Sequence, residues 1–195
     1  MMTANAETLH DVSLQQRLRW LGLSCMAASL LSGILKGLWE LSRPILHTPQ
    51  TLVLAPPAQL WTYSLLEVIK AIGFPAGLYG FYLCATKRGP VVKIFMGLAV
   101  LGALFFAVVW IWIPAASRVT LVYVLGGMWF QWFAPIALGV AALFARRTSW
   151  WMGAWAIVLG VLNSVIFPLL GPGMALVVQG VIWLAFGYVV FSLCG

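Results

Sequence analysis

Residues Lys36 to Glu40 read KGLWE, and residues Leu60 to Lys70 read LWTYSLLEVIK. The chain has four acidic residues, and two of them, Glu40 and Glu67, stand in these stretches. Each has a lysine one helical turn away: Lys36 with Glu40 at i,i+4, and Glu67 with Lys70 at i,i+3. Both spacings put the partners on one helix face. The runs that flank them, Trp20–Leu35 and Ala71–Ala85, carry no charge at all. Charge pairs at the ends of long apolar runs describe two membrane helices that meet in a hairpin.

Composition agrees. Hydrophobic residues make up 63% of the 195 positions and charged residues 8%. An ordinary soluble domain is about half apolar and about a quarter charged. One soluble core of this size cannot hide the excess, because its surface must still be polar. Lipid removes the contradiction. The net charge of +7 is therefore no nucleic-acid footprint. The basic residues sit at the ends of apolar runs, where they report topology and meet anionic headgroups. The bilayer is the expected environment, and no nucleic acid is expected as a partner.

Residues 1–19 are polar, and Ser13 with Gln16 fits a capping box. A short surface helix is expected there. Residues 20–195 read as one transmembrane domain. A helix crossing about 30 Å of hydrocarbon needs about 20 residues, which gives six spans at 20–42, 58–86, 91–113, 119–145, 149–170 and 174–194. The breaks are chemical. Arg43-Pro44 ends the first span and Pro56-Pro57 opens the second, since proline suits a helix start. Lys87-Arg88-Gly89-Pro90, Pro114, Arg146-Arg147 and Gly171-Pro172-Gly173 separate the rest. With a cytoplasmic N-terminus, the inner side holds Arg17, Arg19, Lys87, Arg88, Lys93, Arg146 and Arg147, and the outer side only Arg43 and Arg118. Seven against two places both termini in the cytoplasm. The expected fold is all-α: a compact bundle of six transmembrane helices in a bacterial inner membrane. Cys25, Cys84 and Cys194 show no metal spacing and are expected to be reduced thiols.

Aligning the two apolar runs as an antiparallel hairpin puts Lys36 level with Lys70. At about 1.5 Å rise per residue, Lys36 and Glu67 are then offset by about 5 Å, and Glu40 and Lys70 by about 6 Å. Side chains of that length can bridge the gap. The four charges form either a structural clamp or a polar site for a substrate or a proton. Substrate-binding candidates are Lys36, Glu40, Glu67 and Lys70, with His47 in the Pro-rich outer loop. Two amides within the spans, Gln131 and Asn163, join them, and Gln179 lies in the last span. Membrane amides of this kind also serve as plain interhelical hydrogen-bond partners. Hinge candidates are Gly73, Pro75 and Gly77 in the second span, where GxxxG permits close approach and proline removes a backbone bond, and Pro135 in the fourth.

Enzyme signals are missing. No span contains a histidine for haem or an intramembrane metal, no serine sits in G-x-S-x-G, and no phosphate loop is present. No cofactor, metal or catalytic residue is expected. Two function classes stand. In one, the protein binds or transports a small or lipophilic solute through an outward-facing cleft at the charge cluster. In the other, it is a non-catalytic accessory subunit, with GxxxG and tryptophan faces set against a membrane-protein partner or a second copy.

Overall fold

The computed structural model describes residues 2–42, 56–87, 89–116 and 127–193. All regular structure among them is helical. We number the elements α1 (Met2–Ala28), π1 (Ser29–Leu35), α2 (Lys36–Ser42), α3 (Pro57–Ala85), α4 (Pro90–Ala116), π2 (Trp129–Phe133), α5 (Ala134–Ala145), α6 (Trp150–Leu170) and α7 (Pro172–Leu193). Four helices are long and apolar enough to cross a membrane: Val12–Ser42, Pro57–Ala85, Pro90–Ile111 and Gly173–Ser192. Trp129–Ala145 and Trp150–Ile166 are shorter apolar helices. The first eight residues expected for the fourth span, 119–126, and most of the Pro-rich loop around His47 lie outside the described residues.

Local chemistry sets the boundaries. Pro57 sits in the first turn of α3, with Pro56 extended before it. A proline there gives up an N–H that would have no helical partner anyway. Arg146 ends α5 in the left-handed conformation, φ 50°, and its N–H reaches the Ala142 carbonyl at 3.2 Å. Gly171, at φ 72°, makes the corner between α6 and α7. Positive φ is cheap only for glycine, so this corner is coded locally. One expectation fails at the N-terminus. Ser13 lies inside a helix that has run unbroken from Met2, so it does not stand at a helix N-terminus. The surface helix and the first span are one rod. A second fails at Cys84, which is disulfide-bonded, whereas Cys25 is a free buried thiol.

The helices pack mostly with their sequence neighbours, and the circuit closes where α1, π1 and α2 run along α7. The central rod is α3, which touches α1, π1, α4, π2, α5 and α7. Its best apolar window is 61% buried, against 33–44% for the other three long helices, so lipid sees least of it. Phe74, Leu78, Phe81, Phe130, Leu138, Leu159, Trp183 and Phe186 form a fully buried core. Phe74 stacks on Trp183 at 4.1 Å between centroids. Large apolar side chains also point outward: Phe144 is 82% exposed and Ile72 65%. A soluble surface would not carry them in this density, and an acyl-chain environment accepts them.

Glycines bring three seams to backbone contact. A Cβ built at Gly22 would stand 2.7 Å from the Gly187 carbonyl, one at Gly37 2.7 Å from the Val177 nitrogen, and one at Gly33 would fall on the Gly180 Cα. These contacts zip the first span to α7. Gly139 and Gly153 do the same for α5 and α6, each within 2.9 Å of the other's carbonyl. On α3, Gly73 faces Ala28 and Gly77 faces Cys25 of α1. Between apolar rods in lipid, close packing of this kind supplies the association that hydrophobicity cannot.

Candidate functional site

The first span does not stay α-helical. Ser29 and Ser32 donate their hydroxyls back to the carbonyls of Cys25 (2.6 Å) and Ala28 (2.5 Å), four residues earlier. Such back-bonding competes with the backbone donors and slackens the helix. The slack is taken up as π1, and the Lys36 N–H that closes it reaches both Leu31 and Gly33 carbonyls. One added residue rotates the remainder of a helix by about 100°. After π1, Lys36 and Glu40 are buried, at 1% and 3% exposure.

The opposite wall comes from α3. Tyr63, Ser64, Glu67 and Lys70 fall at i, i+1, i+4 and i+7, a single stripe, and all four are buried. Lys36 Nζ donates to Glu67 Oε1, and Lys70 Nζ lies 2.5 Å from Glu67 Oε2. Glu67 is therefore the hub, with one lysine on each oxygen. Lys36 Nζ also stands 3.5 Å from the Tyr63 ring centroid and 5.8 Å from that of Trp110, and Lys70 Nζ 5.2 Å from Phe106. Aromatic faces stabilise a desolvated cation. Glu40 lies within electrostatic reach of Lys36 and brings the cluster to two positive and two negative groups.

A second polar cluster lies near Phe106. The Gln179 amide nitrogen donates to Gln131 Oε1 and to Asn163 Oδ1, both at 2.8 Å, and Asn163 donates on to the Leu159 carbonyl at 2.8 Å. Gln131 sits in π2, whose closing N–H from Ala134 reaches back five residues to Trp129. Pro135 accounts for this turn. It offers no N–H to the Gln131 carbonyl, and its ring crowds that carbonyl. The clusters are close neighbours. A Cβ at Gly127 would lie 3.1 Å from the Phe106 ring and 3.7 Å from Gln131 Nε2, and Lys70 Nζ lies 5.2 Å from the centroid of the same ring. Gln179 Oε1 and the indole N–H of Trp183, one turn on, find no hydrogen-bond partner among the described residues.

The arrangement brings together most of the residues expected from sequence. Lys36, Glu67 and Lys70 form one network with Glu40 beside them, and Gln131 and Asn163 form another. His47 lies outside the described residues. Gly73 and Gly77 are contact surface against α1, and α3 runs unbroken through the buried Pro75. Sequence reasoning missed the aromatic platform of Tyr63 and Trp110, and it left Gln179 out of the site although that side chain holds the amide triad together. The i,i+4 spacing of Tyr63 and Glu67 was a usable signal. Neither π segment was legible from periodicity. No protein-family model, curated protein or solved structure matches this chain.

Proposed function

We propose that this is a six-span integral membrane protein of a bacterial inner membrane, with both termini cytoplasmic. In this reading it binds or moves a small or lipophilic solute past the Lys36–Glu40–Glu67–Lys70 cluster. The observation that carries the reading is the burial of those four ionisable side chains, each 3% exposed or less, inside an apolar bundle. Buried ion networks cost several kcal/mol per ion in desolvation and are poor stabilisers compared with apolar packing. Inside a membrane bundle they are characteristic of solute and proton paths. The amide triad extends the polar file toward α6 and α7. Each cluster is built on a π segment, and such segments recur at functional sites. A shift of either segment by one residue would turn Lys36 or Gln131 by about 100° and open the file. In the described conformation the cluster is closed to water, so the outward cleft belongs to an open state.

The accessory-subunit reading rests on GxxxG and tryptophan faces set against a partner. Gly73 and Gly77 are used inside the chain, while Trp20, Trp61 and Trp150 stay exposed, so that reading keeps its tryptophan faces and loses its glycine one.

Two experiments test this proposal. The first addresses topology. In a background without native cysteines, a cysteine at Thr48 should label from outside, and one at Thr148 only after permeabilisation. The reverse pattern would overturn the orientation, and labelling of both from one side would overturn the span count. The disulfide at Cys84 pulls against a reducing compartment at that end, while the seven-to-two basic asymmetry pulls for it. Seven separate basic residues outweigh the one disulfide. The second experiment addresses the site. Purified protein is screened for thermal stabilisation by small amines, carboxylates and lipophilic cations, and proteoliposomes loaded with a pH-sensitive dye report proton movement. A response is expected that disappears in Lys36→Met/Glu67→Gln, which removes the buried charges as a pair. A folded double variant that responds like wild type would leave the cluster a clamp.

A further inference from the structure

Two grooves open on the lipid-facing surface at the end of the bundle that carries Arg17 and Lys93. The first, of about 420 Å³, lies between α1 and α3 and is lined by Ser13, Arg17, Trp20, Leu21, Tyr79 and Leu83 among others. The second, of about 390 Å³, lies between α3 and α4 and is lined by Tyr79, Tyr82, Lys93, Met96, Gly97 and Val100. Tyr79 is the shared wall. It is 43% exposed and stacks on Tyr82 at 5.9 Å, so a fixed aromatic ridge separates the grooves.

The grooves repeat one design. In each, a basic residue stands four positions before the apolar floor, Arg17 before Leu21 and Lys93 before Gly97. At about 1.5 Å per residue, that puts the charge about 6 Å nearer the water than the floor. The register is fixed, because a Cβ at Gly80 of α3 would lie 3.3 Å from the Leu21 side chain. A Cβ at Gly97 would meet nothing within 4 Å. That glycine therefore serves no helix packing. It leaves a dent where any other residue would fill the second groove, and glycine is a poorer helix former than alanine. Among the described residues, no acidic side chain lines either groove.

From this geometry we infer that Tyr79 is straddled by one anionic diacyl phospholipid. Its phosphate lies between Arg17 and Lys93, and one acyl chain descends each groove. Two grooves sharing Tyr79 match two chains, and the basic residue lining each of them matches an anionic headgroup. Trp20, 64% exposed on the Arg17 side, belongs to the interfacial aromatic belt at this depth. This inference is independent of what the charge cluster does.

The test is native mass spectrometry of the full chain from vesicles of phosphatidylglycerol and phosphatidylcholine in equal parts, with thermal stability measured after each lipid is added back. One phosphatidylglycerol should stay bound per chain and raise the melting temperature more than phosphatidylcholine does. Arg17→Gln and Lys93→Gln should each weaken retention about fivefold, and together roughly thirtyfold. Gly97→Leu keeps both charges and has room for its side chain, so it should fold normally and still lose the retained lipid. Equal retention of the two lipids would overturn the inference, as would unchanged retention in Gly97→Leu. A retained protein chain in place of lipid would overturn it in favour of a docking surface for a partner or a second copy.

Discussion

Glu67→Gln is expected to lower stability in detergent by about 3–5 kcal/mol, the usual cost of removing one partner from a buried ion pair. For a chain of this size, that is a fall in melting temperature of roughly 6–20 °C. The reason is the hub geometry. Lys36 and Lys70 each hold one oxygen of the same carboxylate. A neutral amide leaves two buried ammonium groups facing each other, and an amide can satisfy at most part of their demand. Adding Lys36→Met should return some of the lost stability, because one uncompensated charge disappears and its stem already lies against Tyr63. Thermal unfolding of the wild type, the single and the double variant measures this directly. If Glu67→Gln melts like wild type, the carboxylate is not the hub, and the arrangement in the α2–α3 hairpin is wrong. If Lys36→Met deepens the loss, the lysine serves a partner other than Glu67.

Gly33→Leu should be nearly as severe. A Cβ at Gly33 falls on the Cα of Gly180, and the Gly180 nitrogen is 2.9 Å away. Backbone cannot turn aside as a side chain can, so π1 and α7 would have to part. Overpacking a tight interior costs about 1–3 kcal/mol and sometimes more, and a whole leucine against backbone belongs at the upper end. The seam includes Gly22 and Gly37, so separation at Gly33 also loosens its neighbours. The expected result is a melting temperature lower by roughly 6–12 °C and a broadened elution profile. In lipid-free detergent, where neither variant has a groove lipid to lose, Gly97→Leu, the same exchange where a Cβ meets nothing, is the matched control and should melt like wild type. Equal behaviour of the two variants would mean that the α1–α7 seam contributes nothing.

Some of this was legible in the sequence and some was not, for physical reasons. Helix ends were legible because proline, glycine and arginine act locally: Pro57, Gly171 and Arg146 stand where the breaks are. The Lys36–Glu67 pair was legible because charges are rare in apolar runs and rise per residue is constant, so aligning the two runs gave the register. The glycine seam was hidden in plain composition. Gly173, Gly180 and Gly187 recur every seven residues, but nothing in that spacing names Gly22, Gly33 and Gly37 as the partner set. Only the closure of the bundle does. The π segments were invisible because their causes, serine back-bonds at Ser29 and Ser32 and the missing donor of Pro135, are individually compatible with an ordinary helix. Gln179 was underrated for the same kind of reason. An amide in a span announces a hydrogen bond, but only the fold reveals that one side chain serves two others.

The glycine seam also dictates an order of assembly. It joins α1, π1 and α2 to α7, so the circuit of helices cannot close until α7 has been made. Glu67 follows Lys36 by only 31 positions, and the ion network can form as soon as the second span is released into lipid. Gly180 follows Gly33 by almost 150 positions. At ribosomal speeds of about 5–20 residues per second, that separation is a wait of roughly 7–30 s. Throughout it, the small-residue flank of the first span faces lipid or whatever helix is nearest. The nascent protein is then most open to wrong partners on the surface that the finished one hides most completely.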